Sequence, residues 1–136
     1  MSANLNKEFQ KLQHKRGLDA EERLYRLLSK NKPSWCFSME KTNRYSIVDC
    51  LGVDIALDTD IGPLYFNVKT TPTIHNAWKD FSYQMKRKIN RGWITQDFFK
   101  RVRLIIVNEE KKDQDILNYC NLQYEIVKNI FNKLEN

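Results

Sequence analysis

The sequence predicts an α/β domain in which a mixed β-sheet is flanked by helices, in the order α-β-β-β-α-β. Three observations carry this. Two alternating runs, VDIALDT (53–59) and LYFNVKTT (64–71), lie on either side of Asp60-Ile61-Gly62-Pro63, whose residue types reverse a chain. A continuous apolar run, VRLIIVN (102–108), has the make-up of a strand covered on both faces. Between them apolar residues recur at helical spacing, so a helix connects the hairpin to the later strand, as a parallel crossover requires.

In chain order, Leu5, Phe9 and Leu12 fall at helical spacing before Gly17, where a break is expected. Asp19 can then cap a second stretch from Ala20 to Lys30, with Glu22 three residues on. Its apolar stripe is Leu24, Leu27 and Leu28; Glu21 shares a face with Tyr25 and Leu28 and leans inward, whereas Glu22 lies with Arg26 and Ser29 toward water. Pro33 ends the helix, and WCFSMEKT (35–42) reads as the first strand, followed by a polar link. After the hairpin and Pro72, Asn76 can cap a helix with the stripe Ala77, Phe81, Met85 and Ile89, ending near Gly92. VRLIIVN follows as a central strand. In the tail, Leu122, Tyr124 and Ile126 alternate while Ile126, Ile130, Phe131 and Leu134 keep helical spacing, so a short strand followed by a helix is expected.

With 136 residues the chain has the size of one domain, taken as residues 1–136. Its 41% apolar content, with only four Gly and three Pro, excludes a disordered tail or a fibrous repeat. No apolar run approaches the roughly 20 residues of a membrane span, and the polar N-terminus is unlike a secretory signal. The expectation is a soluble, cytoplasmic protein with no membrane partner. Cys36, Cys50 and Cys120 are widely separated, without CxxC spacing, and read as reduced packing residues.

The net charge of +6 is unevenly distributed: residues 79–103 hold eight Lys/Arg against Asp80 and Asp97, and the rest of the chain is balanced. Such clustering suits a polyanion, because phosphate neutralisation releases counterions. Lys79, Lys86, Arg87, Arg91, Lys100, Arg101 and Arg103 are the expected contacts, with DNA as the expected partner and RNA left open. A solvated helix face and a dock for an acidic protein are the alternatives, and only phosphate contact predicts affinity that falls steeply with salt. Trp93, Phe98 and Phe99 lie among these cations and could stack on unpaired bases, although core burial is the commoner fate of such rings.

The hairpin places chemistry on one face. With the turn centred on the Ile61/Gly62 bond, Ala56 opposes Asn67 and Asp54 opposes Lys69, and opposed side chains have Cβ atoms about 4.5–5.5 Å apart. A slip of one residue would send the two polar sets to opposite faces. A carboxylate beside an ammonium suits phosphodiester hydrolysis: the acid holds a hard cation and the ammonium offsets charge on the five-coordinate phosphate. A structural ion pair between strands is the plainer alternative. His14 and His75 have no partner spacing for catalysis.

RGLDAEER (16–23), GVDIAL (52–57) and YFNVKTT (65–71) together resemble the PD-(D/E)XK nuclease superfamily, the restriction-endonuclease-like fold, and in particular its Holliday-junction resolvase branch. The resemblance spans roughly residues 15–107. It implies that Glu21 matches the helix glutamate, Asp54 the metal-binding aspartate, Lys69 the catalytic lysine and the Val68 carbonyl a backbone ligand. Gln84 loosely resembles a glutamine on the following helix of some members. Val53 stands where the family often has proline, and Asn67 stands where it has Glu or Asp. An amide oxygen can ligate Mg²⁺ but brings no charge, and two unit charges ~4 Å apart are worth about 4 kcal/mol at an effective dielectric near 20. Asp80 is the first candidate for a compensating acid after Glu21, followed by Glu40, Asp49 and Asp58.

The resemblance thus implies a Mg²⁺- or Mn²⁺-dependent endonuclease, active on branched or structured DNA, that would work as a homodimer to cut two strands symmetrically. The alternative is a nuclease-fold module that binds nucleic acid or a partner protein without cutting, since fold does not guarantee activity.

Overall fold

The computed structural model describes residues 3–42 and 51–135. The elements are α1 (Ala3–Lys30), β1 (Cys36–Lys41), β2 (Ile55–Thr59), β3 (Gly62–Lys69), α2 (Ile74–Asn90), α3 (Gln96–Arg101), β4 (Val102–Ile106) and α4 (Asp113–Glu135). The four strands form one mixed sheet in the order β1-β2-β3-β4, antiparallel except for the parallel β3/β4 pair. The α/β class and the connecting helix between hairpin and later strand are therefore as the sequence indicates. Among the described residues no helix is long and apolar enough to cross a membrane.

Strand alternation divides the core into two layers. Ile55, Leu57, Leu64, Phe66, Val68, Ile105 and Val107 pack on one side against Leu24 and Leu28 of α1 and Ile116, Cys120, Tyr124 and Val127 of α4. On the other side Val102, Leu104 and Ile106 meet Ala77, Phe81 and Met85 of α2, with Ala56, Tyr65, Phe98 and Phe99 at the margin. Each fully buried Leu, Ile or Phe contributes about 1.5–3 kcal/mol. Cys36 and Cys120 are free thiols in the first layer, and burial pushes the Cys120 thiol up to about 12.

Four expectations are corrected. Helix α1 runs unbroken through Gly17, because one glycine costs a helix only about 1 kcal/mol relative to alanine. Strand β4 lies at the edge of the described sheet rather than its centre; a continuous apolar run reports two covered faces, not two paired neighbours. Residues 122–128 are helical throughout, since Ile116, Cys120, Tyr124 and Val127 make one buried stripe while Leu122 stays exposed. Helix α2 begins at Ile74, with Thr73 rather than Asn76 as its N-cap.

The hairpin register also differs, and this difference bears on function. Thr59 pairs with Gly62 and Ile55 with Phe66, so the two-residue loop is Asp60-Ile61. Gly62, at φ 95°, takes the left-handed conformation that closes such a loop. The pairing is thus two residues from the expected one. A two-residue shift keeps parity, so Asp54 and Asn67 still belong to one face.

Candidate active site

Beyond Ile55 the β2/β3 ladder ends, and a side chain continues it. Gly52, at φ 88°, turns the chain into β2 with a backbone that favours glycine. Asp54 follows; its N–H donates to the Phe66 carbonyl at 2.9 Å, and its Oδ2 accepts the Val68 N–H at 2.6 Å. The carboxylate thereby takes a position that a strand carbonyl would otherwise fill. One turn of chemistry away, Asn67 Nδ2 donates to the Gly52 carbonyl at 2.7 Å, tying the end of β3 to the bend before β2.

These residues line a cleft of about 320 Å³. Its walls are Gly52 and Asp54 before β2, Asn67, Val68 and Lys69 at the end of β3, Glu21 from α1, and Asp80, Phe81, Gln84, Met85 and Lys88 from α2. Every residue that the sequence nominated for the chemistry (Glu21, Asp54, Asn67, Val68 and Lys69) borders this one cleft, as does Asp80. Glu40 and Asp58 are exposed elsewhere on the strands and do not line it, and Asp49 lies outside the described residues. Glu22 stays partly exposed beside Arg26, as the sequence indicates: its carboxylate meets Lys41 at 2.7 Å and Arg26 at 3.0 Å, and the Lys41 ammonium holds it below the usual carboxylate range.

The donor set bears on a metal. Asn67 is 7% exposed, and its Oδ1 is buried with no hydrogen-bond partner among the described residues. A buried acceptor left unpaired costs about 1–3 kcal/mol, which a cation or a proton donor in the cleft would relieve. The carboxylates, the amide and the Val68 carbonyl are hard oxygen donors, which fits Mg²⁺ or Mn²⁺ better than a soft ion. Among the described residues no group of three or more His, Cys, Asp or Glu side chains is arranged to hold an ion. The described residues therefore form no all-protein cage, and an ion there would need neutral oxygens and its own waters beside one or two carboxylates.

The cations sort into two sets. Lys79, Lys86, Arg87 and Arg91 are exposed on α2 and the residue after it, and Lys100 is half-buried on α3. Arg101 instead donates to the Ile61 and Pro63 carbonyls, both at 2.9 Å, and lies 3.9 Å over the Phe131 ring. Arg103 donates to the buried Gln123 at 2.6 Å and flanks Trp78, and its burial lowers its pKa. These two arginines brace the sheet. Of the interleaved rings, Phe98 and Phe99 pack against the second core layer, whereas Trp93 is 59% exposed, against the expectation of burial.

Sequence reading missed Lys88 and Gly52. Lys88 follows Asp80 and Gln84 at i+8 and i+4, a spacing that shares one face. Gly52 carried no pattern, since its role depends on the residue across the hairpin. Comparison with family models, with curated proteins and with solved structures finds no match.

Proposed function

We propose that the chain is a metal-assisted phosphodiesterase that cleaves DNA, built on a restriction-endonuclease-like version of the α/β fold, with this cleft as its active site. The observation that carries the reading is the convergence of Glu21, Asp54, Asn67 and Lys69, from α1, the approach to β2 and the end of β3, on one cleft. Asp54, the Asn67 amide oxygen, the Val68 carbonyl and Glu21 are the oxygens that would hold Mg²⁺ or Mn²⁺. When bound, the ion supplies an activated water and offsets charge on the phosphate.

The remaining work belongs to the protein. Lys69, exposed at the last position of β3, stabilises the negative charge that builds on the phosphate oxygens as phosphorus becomes five-coordinate. Glu21 accepts a hydrogen bond from the attacking water and aligns it. Asp80 and Gln84, on the facing wall, are within the same cleft and available to the leaving group or its water. Lys79, Lys86, Arg87, Arg91 and Lys100 hold the flanking phosphates. A second copy of the chain would serve cleavage of both strands.

A second reading, a module that binds DNA without cutting, has its own observation: the neutral Asn67 stands in the cleft, and among the described residues no three acids are grouped so as to hold an ion. One experiment decides between them. Linear, single-stranded, flap and four-way-junction DNA are incubated with the protein and Mn²⁺, with Lys69→Ala as control. The nuclease reading expects cleavage that the exposed-site variant loses by a hundredfold or more, on the order of one removed transition-state donor, with an unchanged melting temperature. Binding without Lys69-dependent cleavage selects the second reading.

A further inference from the structure

Helix α2 carries two polar rows. Asp80, Gln84 and Lys88 border the cleft. The adjoining row, at the same four-residue spacing, is Lys79, Tyr83 and Arg87, continued by Arg91 just past the helix end. Nothing in the core needs this second row: Tyr83 is 60% exposed and Trp93 is 59% exposed. Each ring has a guanidinium beside it, Arg87 at 5.8 Å from the Tyr83 centroid and Arg91 at 5.2 Å from that of Trp93. Here the two rings lie among cations, in a row that itself carries no acid, with Asp80 on the adjoining row.

We infer that this ridge is a stacking platform for an unpaired DNA strand, with Tyr83 and Trp93 stacking on bases and Lys79, Lys86, Arg87 and Arg91 meeting the phosphates. It rests on the reading above for the substrate being DNA, and extends it from phosphate contact to the strandedness of what is bound. The charge complements a phosphate backbone, and the rings complement bases in a way that a duplex cannot use, because its bases are already paired and stacked. From Tyr83 to Arg91 the helix rises about 12 Å, roughly three to four nucleotides at the ~3.4 Å spacing of a stacked strand. The guanidiniums steady the rings through cation–π contact and bring positive charge to the sugar-phosphate side.

The test is a set of anisotropy titrations of the full chain with labelled oligo(dT), an abasic strand of equal charge, a DNA duplex, and the RNA counterpart of the first. Tyr83→Ala and Trp93→Ala are each expected to weaken oligo(dT) binding about five- to a hundredfold, to leave abasic and duplex binding unchanged, and to be rescued by Tyr83→Phe and Trp93→Phe. Both positions are exposed, and thermal melts check that the variants fold. Alanine variants that bind oligo(dT) like the parent, or lose abasic binding equally, overturn the platform while leaving duplex binding and Lys69-dependent cleavage standing. Ring-dependent preference for the RNA strand overturns the assignment to DNA. Failure to bind any strand removes the DNA reading itself.

Discussion

The Asn67 amide spends its nitrogen on the Gly52 carbonyl and keeps a buried oxygen unpaired among the described residues. This one side chain links the local structure to the proposed chemistry. Asn67→Asp exchanges the donor for a charge: the bond to Gly52 is lost and a carboxylate is buried beside a carbonyl. Without divalent ions the variant is expected to lose about 1–3 kcal/mol of stability. Added Mn²⁺ should restore part of it, because an ion bound only by the folded state stabilises that state, and should raise cleavage above the parent's. Melting curves with and without Mn²⁺ provide the check; a variant whose melting temperature ignores the ion would show that position 67 is not a ligand. At this scale the sequence was informative about identity and face. Parity alone put Asp54, Asn67 and Lys69 on one side of the hairpin, and the face shared with Tyr25 and Leu28 turned Glu21 inward. It was silent on Gly52, whose importance lies in the φ of 88° and the Asn67 amide across from it.

Elements are joined by contacts that periodicity does not display. Glu22 connects α1 to β1 through Lys41 and to its own helix through Arg26. Lys41, first by its hydrogen bond and then by its charge, holds the carboxyl below its ordinary value of 4.5. A folded-state value lower than the unfolded one means that the pair stabilises the protein at neutral pH, and that this contribution disappears as pH falls through the folded-state value. Glu22→Gln should therefore melt slightly below the parent at pH 7, with the two curves converging in acid; a difference that persists in acid would assign the effect to packing. Helix α2 was legible as an element because its stripe is long and regular, whereas the unbroken α1 and α4 were not. A lone glycine and a brief alternation look like interruptions locally, yet the glycine's cost is small beside a long helical run, and packing of Cys120, Tyr124 and Val127 against the sheet outweighs the alternation in α4.

Across the whole molecule the structure separates charge that composition lumps together. Binding to duplex DNA through Lys79, Lys86, Arg87, Arg91 and Lys100 predicts a log–log salt slope in which each phosphate contact contributes about −0.9. Arg87→Ala should reduce that slope by about 1 and leave stability unchanged. Arg103→Ala should leave the slope intact and cost about 1–3 kcal/mol, because it orphans the buried Gln123 side chain. Salt titrations and thermal melts on the two variants distinguish these roles; a slope that responds equally to both would mean that the basic segment acts as an undivided field.

Sequence alone determined the α/β class, the hairpin, the connecting helix and the side of the sheet from which the polar residues project, because each depends on local periodicity, and parity survives a register shift of two. Only the tertiary structure decided that β4 lies at the edge of the described sheet, that Arg101 and Arg103 make inward contacts while Tyr83 and Trp93 face water, and that α1, β3 and α2 border one cleft. Those outcomes are set by which surfaces meet at long range, and a residue's spacing along the chain carries no record of the partner that will cover it.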